Sequence, residues 1–488
     1  MNVSVLLDVA AAMDADRPIV VDTRGRWTLA AVKQRALSFA GLLAELGRPG
    51  PVAYIDSQSA DVPACFFGSS YAGRPFAPLN FRGDRNLIEH CLRVLEPAVV
   101  VCGDRYRPLI PSGVEVWSPE DTLSGLGTDG GVHAEAFDPD AVAAFVFTSG
   151  TTSAPKAAAL KHRHLTAYVL GTTEPLGEPP STATLVATPN YHIATVANVL
   201  TSTYAGRRMV FLDRFTPANW LATARNEAIT HAFVVPTMLQ RITQALAAGE
   251  TPPASLRVVA YGGAPTARTT IEAALTLFGA GTGFVNAYGL TETSSTISLL
   301  TPDDHREAFA SEDPEIRSRL DSVGSPLQGV EVRLDEAGQI LVRGAQVSGE
   351  YSGAERRVLD GWLATGDLGR IDDAGFLFIE GRLDDMIIRG GENISPLEIE
   401  EVLRRFPEVA EAVVVGVSDL EWGQRIVAAV ELREPVNPEE LSARLVPLLP
   451  SFKRPERIVV LDELPRTDLG KLQRRRVRDL LTQEPGEA

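Results

Sequence analysis

The chain has 488 residues, of which 44% are hydrophobic and 22% are charged, with 46 Lys and Arg against 63 Asp and Glu. A chain of this length and composition buries a sizeable core, which excludes disorder, collagen-like repeats and coiled coil as its main state. The net charge of −17 argues against nucleic acid and anionic membranes as partners, because both carry the same sign of charge.

Cysteine usage and hydropathy indicate the compartment. Cys65, Cys91 and Cys102 are too few and too unevenly spaced for a disulfide framework or a zinc site, so buried thiols in a reducing compartment are expected. The first residues lack a basic region and are a poor signal peptide. No stretch approaches 18 consecutive apolar residues, so no membrane span is expected. The sequence therefore predicts a cytoplasmic protein.

Through the middle of the chain, short apolar runs rich in β-branched residues alternate with helical patterns. Strands are predicted at residues 141–147, 232–235, 256–260 and 284–287, and helices over residues 238–248 and 267–278. Strands that alternate with helices are typical of parallel sheets covered on both faces. A large α/β domain of helix-covered, mostly parallel sheets is therefore predicted over residues 1–381.

The last third of the chain has a different pattern. After about residue 325, short strands joined by Gly-containing turns predict a small antiparallel β unit. Ser395, Pro396 and Glu398 form a capping-box pattern that predicts a helix start. The order helix, strand, strand, helix, strand follows, so residues 382–488 are predicted to form a small, mobile α+β domain.

Several polar clusters lie where predicted strands end. Residues 148–156 supply hydroxyls, a glycine and Lys156, which suit either a phosphate cradle or an ordinary polar turn. This segment is not a Walker A loop, because Pro155 and Ala157 flank the lysine. Residues 262–265 form a turn without bulky side chains, where a flat base could approach the backbone.

Two further clusters contain candidate ligands, and one loop presents a lysine. After the strand at 284–287, Tyr288 offers a stacking face, Thr291 a hydroxyl and Glu292 an oxygen ligand for Mg²⁺, although a plain strand-end turn would look alike. Asp367, placed at the end of a hairpin, is either a ribose ligand or a solvated turn residue. Lys471 lies in a Gly-containing loop or in a solvated basic tail.

Taken together, the order and spacing of these motifs are distinctive. The series TSGTT..PK, YHIA, GGAP, NAYGLTET, TGD, GRLDDMIIRGGENISPLEIE and PRTDLGKLQRR resembles the adenylate-forming superfamily, which includes acyl-CoA synthetases, non-ribosomal adenylation domains and luciferases. The resemblance extends over residues 145–474. It implies that an acid reacts with ATP to give an acyl-adenylate and pyrophosphate, and that CoA then displaces AMP.

The resemblance also implies a role for each matched position, with ATP, AMP, Mg²⁺ and CoA as ligands. The catalytic residues would be Lys471, Thr291, Glu292 and His192, with Glu292 also holding the metal. The nucleotide-binding residues would be Thr148, Ser149, Gly150, Thr151, Thr152, Lys156, Gly262, Gly263, Ala264, Pro265, Asn286, Ala287, Tyr288, Gly289, Asp367 and Arg382. Lys471 would bridge the reacting carboxylate and the α-phosphate, where cations relieve the repulsion between the two groups.

In members of this superfamily the small domain turns between the two half-reactions, and the resemblance places its hinge at Asp384. CoA would then meet Gly390, Gly391 and Glu392, which would line a narrow tunnel, and Lys453 and Arg454, which fit a solvated pair equally well. His192 would gate the acyl pocket. Residues 189–192 hold no Asp for an α-ammonium group, which favours a simple carboxylic acid, and the resemblance implies a possible homodimer.

The phosphate loop departs from the superfamily pattern, because Ser153 and Ala157 stand where relatives have glycine. A residue other than Gly at a positive φ costs about 1–2 kcal/mol, so the ATP half-reaction is either weakened or tolerant of the change. The main hypothesis is an acyl-CoA ligase. The alternatives are an enzyme that only forms thioesters from a ready-made adenylate, an enzyme that loads a carrier protein, and an adenylate-binding pseudoenzyme.

Overall fold

The computed structural model describes residues 1–22, 24–57, 59–123, 138–148, 155–353, 358–467 and 470–483. The chain divides into two compact units, a large unit of Met1–Val332 with Val342–Leu363 and a small unit of Arg333–Leu341 with Ala364–Ala488. The small unit thus begins earlier than residue 382, and it also includes the nine residues Arg333–Leu341, which interrupt the large unit in sequence. The predicted hinge at Asp384 remains a prediction.

The described residues form 25 strands. In chain order they are β1 (Pro18–Asp22), β2 (Gly25–Thr28), β3 (Val52–Ile55), β4 (Phe76–Pro78), β5 (Val99–Cys102), β6 (Val116–Trp117), β7 (Val142–Thr148), β8 (Lys156–Lys161), β9 (Ala183–Val186), β10 (Arg208–Phe211), β11 (His231–Val234), β12 (Val258–Gly262), β13 (Gly283–Leu290), β14 (Ser295–Leu300), β15 (Ser325–Pro326), β16 (Val330–Leu334), β17 (Gln339–Gly344), β18 (Val358–Leu359), β19 (Trp362–Ile371), β20 (Leu377–Arg382), β21 (Ile387–Arg389), β22 (Glu392–Ile394), β23 (Val409–Asp419), β24 (Gly423–Leu432) and β25 (Arg457–Val460).

The same residues form 15 α-helices. They are α1 (Ser4–Met13), α2 (Leu29–Glu45), α3 (Asp61–Tyr71), α4 (Arg85–Leu95), α5 (Pro119–Leu123), α6 (His162–Thr172), α7 (Ile193–Ala205), α8 (Pro217–Asn226), α9 (Pro236–Ala247), α10 (Arg268–Phe278), α11 (Pro302–Ala310), α12 (Pro314–Ser318), α13 (Pro396–Arg404), α14 (Pro438–Leu445) and α15 (Arg474–Gln483). Thus α1–α12 belong to the large unit and α13–α15 to the small one.

Two mostly parallel sheets build the large unit, which confirms the predicted α/β class. One has nine strands in the order β15-β14-β13-β12-β11-β9-β10-β1-β2, and the other has six in the order β6-β5-β3-β4-β7-β8. The four predicted strands correspond to β7, β11, β12 and β13, and the two predicted helices to α9 and α10. Helix α9 starts two residues earlier than predicted, because Pro236 occupies its first turn, where a missing N–H costs nothing.

The segment that begins at Asn286 does not lie beyond the end of a strand, which corrects the sequence prediction. Strand β13 continues to Leu290 and pairs antiparallel with β14 along residues 286–290, with a shift of register between Tyr288 and Gly289. Glycine permits this close pairing, since a Cβ on Gly289 would lie 1.9 Å from the Ser295 carbonyl oxygen. Only Thr291–Thr293 leave the sheet, as one turn of 3₁₀-helix.

The small unit is an α+β sandwich, as predicted. Its three-stranded sheet has the order β23-β24-β25, and β21 pairs with β22 in a separate hairpin. One face of the sheet packs in a cluster with Ile399 and Leu441 of α13 and α14, and the other face packs with Val477 and Leu481 of α15. The final helix was not predicted, because the arginines that open it resemble a solvated basic tail in the sequence.

The helix predicted at residue 396 exists, but its capping box does not. Ser395 is the N-cap residue and Pro396 follows it in the first turn, yet the Ser395 hydroxyl makes no cap hydrogen bond. The hydroxyl instead donates to the Glu380 carbonyl oxygen at 2.6 Å. The Glu398 carboxylate accepts two hydrogen bonds from Lys453, at 2.7 and 2.8 Å. Tertiary partners have thus replaced the local ones that the pattern suggested.

The three cysteines are buried and unpaired, as predicted. Burial raises the pKa of Cys91 and of Cys102 to about 12, and that of Cys65 well above its usual range, so the thiols stay protonated at neutral pH. No helix among the described residues combines the length and the apolar character that crossing a membrane requires.

Candidate active site

The phosphate segment is closed at its base by a pair of strands. Strand β7 ends at Thr148 and β8 begins at Lys156, and these two residues pair directly across the antiparallel ladder. The Thr148 hydroxyl lies 3.5 Å from the Lys156 carbonyl oxygen. Ser149, Gly150, Thr151, Thr152 and Ser153 lie outside the described residues. The predicted ends of the phosphate cradle are therefore held together in the large unit, with the Lys156 side chain exposed.

One of the two departures from the superfamily pattern is accommodated in the core. Ala157 lies in β8 opposite Phe147, and its side chain is completely buried in a cluster with Ala53 and Leu79. Its backbone is extended and is not among the residues with positive φ, so the side chain adds no backbone strain. The expectation of strain at residue 153 stays untested, since that residue lies outside the described part.

The two segments predicted to flank adenine lie side by side. Gly262 ends β12 and pairs with Ala287 of β13, and a Cβ on Gly262 would lie 2.1 Å from the Ala287 carbonyl oxygen. Gly263 follows with a φ of 85°, a left-handed conformation that favours glycine. Ala264 and Pro265 continue the turn at the surface. Both predicted glycine positions therefore have a physical requirement, and the backbone there is open to a flat ligand.

A buried tyrosine–histidine pair anchors this turn from behind. Tyr261 precedes Gly262, and its hydroxyl lies 2.9 Å from His305 Nε2, while His305 Nδ1 lies 2.8 Å from the Thr301 carbonyl oxygen. A carbonyl can only accept, so Nδ1 carries the proton and Nε2 accepts from the tyrosine. Burial lowers the pKa of His305 to about 4. The ring is therefore neutral in the folded protein at neutral pH.

We expect this histidine to make stability depend on pH. An unfolded histidine binds a proton near pH 6.5 and His305 only near pH 4, so acidification through this window favours unfolding by about 1.4 kcal/mol per pH unit. Urea unfolding at pH 7 and pH 5 should therefore give a shallower pH dependence for His305→Gln than for the wild type. Identical pH dependence in the two proteins would contradict this assignment.

The Thr291–Glu292 turn is held in a strained conformation by a residue that the sequence did not reveal. Directly after it, Ser294 and Ser295 have φ values of 58° and 126°, which residues other than glycine rarely adopt. The buried amide of Gln346 donates to the carbonyl oxygens of Thr293 and Thr296, at 3.0 and 2.7 Å. Ser294 donates in turn to the Gln346 carbonyl oxygen at 2.8 Å. These bonds fix the backbone that directly follows Glu292.

A second unpredicted segment, residues 348–352, joins this turn to the phosphate strand. The Ser348 N–H donates to the Glu292 carbonyl oxygen at 2.8 Å, and the Ser352 N–H donates to that of Ala157 at 2.8 Å. The Tyr351 hydroxyl donates to Oε1 of the Glu292 carboxylate. The predicted metal ligand and the start of β8 are therefore tied together within the large unit.

The donor set around Glu292 fits Mg²⁺ that is brought in by a nucleotide. In the part of the chain that the structure describes, no three His, Cys, Asp or Glu groups come together as a metal cage. Mg²⁺ is commonly bound through one or two carboxylates together with substrate phosphates and water. Glu292 is half-buried, and Tyr351 occupies one of its two oxygens, so the other is available to a metal.

Replacing Tyr351 by Phe should weaken the metal site without unfolding it. The lost hydrogen bond leaves the Glu292 carboxylate free to rotate, and such supporting contacts are worth about 10-fold or more in metal affinity. Titration of the protein–ATP complex with Mn²⁺, followed by electron paramagnetic resonance, should show weaker binding in Tyr351→Phe. Tyr168→Phe, on a distant helix, is the matched control, and an unchanged Mn²⁺ affinity in Tyr351→Phe would refute the role.

His192 lies at the N-terminus of helix α7, beside an aromatic cluster. It is the N-cap residue of α7, it is partly exposed, and its ring lies 4.8 Å from that of Tyr191. Tyr191 in turn packs edge-on against Phe81, with 5.5 Å between ring centroids. Asn190 is tied back by a hydrogen bond of 2.8 Å to the Asp56 carbonyl oxygen. These contacts place the imidazole on the surface of an apolar region.

The same unit offers a half-exposed apolar surface on its central strands. Phe233, Ala260 and Val285 lie in register on β11, β12 and β13, and all three are partly exposed. Val234 and Tyr261, which follow Phe233 and Ala260 in sequence, point the other way and are fully buried. A sheet face of this kind suits the hydrocarbon part of an acid.

In the small unit, the predicted ribose ligands are neighbours. Asp367 and Arg382 pair across the β19–β20 hairpin, at its open end, and Arg382 Nε lies 3.0 Å from Asp367 Oδ1. Asp367 is only 8% exposed, so it is not a solvated turn residue. Gly366 has a φ of 79°, and the Thr365 hydroxyl accepts from the Asp367 N–H at 3.0 Å. The geometry presents one carboxylate in a fixed orientation.

Lys471 lies at the end of a loop whose base is pinned. Arg466 and Leu472 form an antiparallel bridge, and the Gln473 N–H donates to the Pro465 carbonyl oxygen at 2.8 Å. Desolvation lowers the pKa of Lys471, Arg382 lowers it further, and Asp367 and Asp385 act in the opposite direction. The residue as a whole is nevertheless exposed. The lysine thus shares an electrostatic environment with both ribose candidates.

The predicted CoA residues have mixed surroundings. Gly390 and Gly391 have φ values of 59° and 87° and turn the β21–β22 hairpin, with Glu392 exposed beyond them. Lys453 pairs with the Glu398 carboxylate. Arg454 donates to the carbonyl oxygens of Leu449 and Val446 at 2.7 and 2.8 Å, and so caps the chain locally. Asp384 is exposed and lies in the 3₁₀ turn Leu383–Asp385.

Comparisons with known proteins identify the family of the chain. The profile of the AMP-binding enzyme family matches residues 7–352, and that of the AMP-binding enzyme C-terminal domain matches residues 398–471. A 2-succinylbenzoate–CoA ligase from Bacillus cytotoxicus is 31% identical over 489 residues, covering 97% of this chain and 98% of its own. A fatty acid–[acyl-carrier-protein] ligase from Streptomyces coeruleorubidus is 31% identical over 474 residues, covering 91% and 88%.

Solved structures give the same result. The o-succinylbenzoate CoA synthetase from Bacillus subtilis, in complex with the acyl-adenylate intermediate, superimposes with a TM-score of 0.86 at 27% identity, covering 99% of both chains. The same enzyme in complex with ATP and magnesium superimposes with a TM-score of 0.84, covering 97% of this chain and 99% of its own.

Proposed function

The chain belongs to the AMP-binding enzyme family and is an AMP-forming acid–thiol ligase, and we propose that its substrate is a carboxylic acid other than an amino acid. Its ligands are ATP, Mg²⁺ and CoA, and the ATP is converted to AMP. The acid is first converted to an acyl-adenylate with release of pyrophosphate. CoA then attacks the acyl carbon through its thiol, and AMP leaves.

The observation that carries the proposal is the convergence of the nucleotide motifs in the large unit. The adenine turn at Gly262 pairs with Ala287, and the strand that holds Ala287 leads into the Thr291–Glu292 turn. Residues 348–352 tie that turn to the strand that follows the phosphate segment. Four stretches that are far apart in sequence therefore converge on one region, which supports a single bound nucleotide.

The chemistry consists of positioning and charge neutralisation. Carboxylate and α-phosphate are both anionic, so their approach is opposed until cationic groups lie between them. Lys156 faces the departing pyrophosphate in the proposed arrangement, and Lys471 bridges the reacting oxygens. Bound at Glu292, Mg²⁺ neutralises charge on the phosphates. Asp367 holds the ribose hydroxyls in both half-reactions, because AMP remains part of the intermediate.

Two separate features of the large unit bear on the nature of the acid. Residues 189–192 lack an Asp that could pair with an ammonium group, and Phe233, Ala260 and Val285 present a hydrocarbon surface. An acid with an apolar or aromatic body is therefore favoured over an amino acid. Because relatives are named 2-succinylbenzoate–CoA ligases, that acid is the first to assay.

A substrate panel tests the proposal. Purified protein is incubated with ATP, Mg²⁺, CoA and each acid in turn, beginning with 2-succinylbenzoate, benzoate, medium-chain fatty acids and amino acids. Thioester formation with a member of the first three classes, and none with amino acids, is the expected result. Activity confined to amino acids would refute the proposed acid class.

A carrier protein as the acyl acceptor is the second candidate, favoured by the similarity to a fatty acid–[acyl-carrier-protein] ligase. Presenting the enzyme with CoA and a phosphopantetheinylated carrier protein in competition separates the two. Transfer to the carrier that CoA does not suppress would favour the second candidate. Preferential consumption of CoA would favour the first.

The altered phosphate segment leaves two further alternatives, which rest on Ser153. An enzyme that uses only a ready-made adenylate would convert synthetic acyl-adenylate to thioester yet catalyse no acid-dependent exchange of pyrophosphate into ATP. A pseudoenzyme would bind AMP and do neither. We favour the full reaction, because Ala157 packs into the core without backbone strain and Lys156 matches the lysine of the superfamily motif. A cytoplasmic location, where ATP and CoA are supplied, and a homodimer remain predictions.

A further inference from the structure

The small unit contains a buried ionic cluster that the reaction as described does not use. Glu400 of α13 is completely buried, and its carboxylate is gripped by Arg474, the first residue of α15, through both oxygens, one of these contacts being 2.8 Å long. The Val414 N–H of β23 donates to the same carboxylate at 2.7 Å, and Arg404 approaches it at 3.2 Å. One carboxylate thus joins two helices and the central sheet.

Arg474 also reaches the segment that carries the predicted hinge. Its Nε lies 3.4 Å from Asp385 Oδ2, one residue after Asp384, and its Nη1 donates to the Val414 carbonyl oxygen at 3.1 Å. The side chain is 16% exposed, so its charge is largely removed from water. Arg474 is therefore fixed on three sides, by α13, by β23 and by the hinge segment.

The same arginine is three residues from Lys471. Gln473, between them, is pinned to the other side of the loop, because its N–H donates to the Pro465 carbonyl oxygen at 2.8 Å and its side-chain amide to that of Arg466 at 2.8 Å. The chain that bears the lysine is thus anchored at a point fixed to the hinge segment. A long, exposed lysine side chain has no comparable restraint of its own.

A buried ion pair is a costly way to gain stability alone. Replacing such a pair by apolar residues is often neutral or stabilising, because burying two charges requires removing their water. What a bidentate arginine–carboxylate pair does supply is a defined geometry. The buried charges of Glu400 and Arg474 are therefore better suited to fixing a position than to adding stability.

We propose that Arg474, held by Glu400 and Asp385, is a positioning residue. It fixes the base of the Lys471 loop relative to the hinge segment, so that the lysine is correctly placed for adenylation. This inference rests on the proposed function, in which Lys471 acts only in the first half-reaction. Misplacing a reacting group by about 1 Å costs roughly 100-fold in rate. Thioester formation from a supplied adenylate should not depend on the position of this lysine.

The test compares both half-reactions in four variants. Adenylation is followed as acid-dependent pyrophosphate exchange, and the second step as thioester formation from synthetic 2-succinylbenzoyl-adenylate and CoA. Arg474→Met and the double variant Glu400→Leu/Arg474→Met should both lower kcat for adenylation about 100-fold and leave the second step within threefold. Arg475→Met, an exposed neighbour on the same helix, is the charge-matched control and should change neither.

The double variant separates positioning from stability, since it removes both members of the Glu400–Arg474 pair together, Arg404 keeps its contact with Glu411, and the variant is expected to fold. Adenylation restored to within threefold of wild type in that variant would overturn the proposal, and so would unfolding of the double variant, which would make the pair a stability element. Lys471→Ala is the reference. Equal loss of both steps in Lys471→Ala would refute the proposed function itself. If Lys471→Ala loses only adenylation while Arg474→Met adenylates normally, only the positioning role of Arg474 is refuted.

Discussion

Replacing Lys471 by Ala should abolish adenylation and spare thioester formation. In the proposed function the lysine places a cation between the carboxylate and the α-phosphate, and removing such a preorganised charge costs about 10³-fold in rate. The second step breaks an anhydride that is already made and needs no cation at that point. Pyrophosphate exchange and thioester formation from supplied adenylate, measured on the same preparation, should therefore differ by at least 100-fold in their response.

Two control variants sharpen this experiment. Lys471→Arg keeps the charge but changes the shape and reach of the side chain, so it should recover only part of the adenylation rate. Lys453→Ala removes a lysine from the same unit, one that pairs with Glu398, and should leave adenylation unchanged. A comparable fall of both half-reactions in Lys471→Ala would mean that the small unit does not present separate faces to the two steps.

Replacing Asp367 by Ala should impair both half-reactions alike. The carboxylate is buried and oriented by Arg382 and by its own backbone, and in the proposed function it accepts hydrogen bonds from the two ribose hydroxyls. A hydrogen bond to a charged group contributes about 1.5–3 kcal/mol, which corresponds to roughly 10- to 100-fold in affinity. The dissociation constant of AMP, from calorimetry, and KM in both assays should rise by this factor.

The contrast with Lys471 makes the second prediction decisive. Because AMP stays bound through both steps, a ribose ligand cannot affect one and spare the other. Asp373→Ala, an exposed residue in the turn of the same hairpin, is the matched control for loss of a carboxylate. Weakened AMP binding with Asp373→Ala and normal binding with Asp367→Ala would reverse the assignment.

The sequence predicted those structural features whose cause is local. The glycines at 262 and 263 could be predicted because a close approach and a positive φ each leave a mark at one position. The resemblance singles out Asp367 and Arg382 together, and the structure pairs them across one hairpin. The alternation of strands and helices predicted the sheets for the same reason, since periodicity is a property of short stretches.

The parts that could not be predicted depend on contacts between distant stretches. Tyr351 lies 59 residues from Glu292, and Arg474 lies 74 residues from Glu400, so no spacing rule connects either pair. The capping box failed for the same reason, because Ser395 and Glu398 found tertiary partners in Glu380 and Lys453. The extension of β13 depended on β14, which supplies its pairing partner.

The central claim, that the chain builds and then cleaves an acyl-adenylate, is tested most directly by the fate of ATP in the complete reaction. With 2-succinylbenzoate or another accepted acid, CoA and Mg²⁺, we expect AMP, pyrophosphate and thioester in equal amounts, and acid-dependent pyrophosphate exchange when CoA is withheld. Formation of ADP and phosphate, or thioester formation without any exchange, would contradict it.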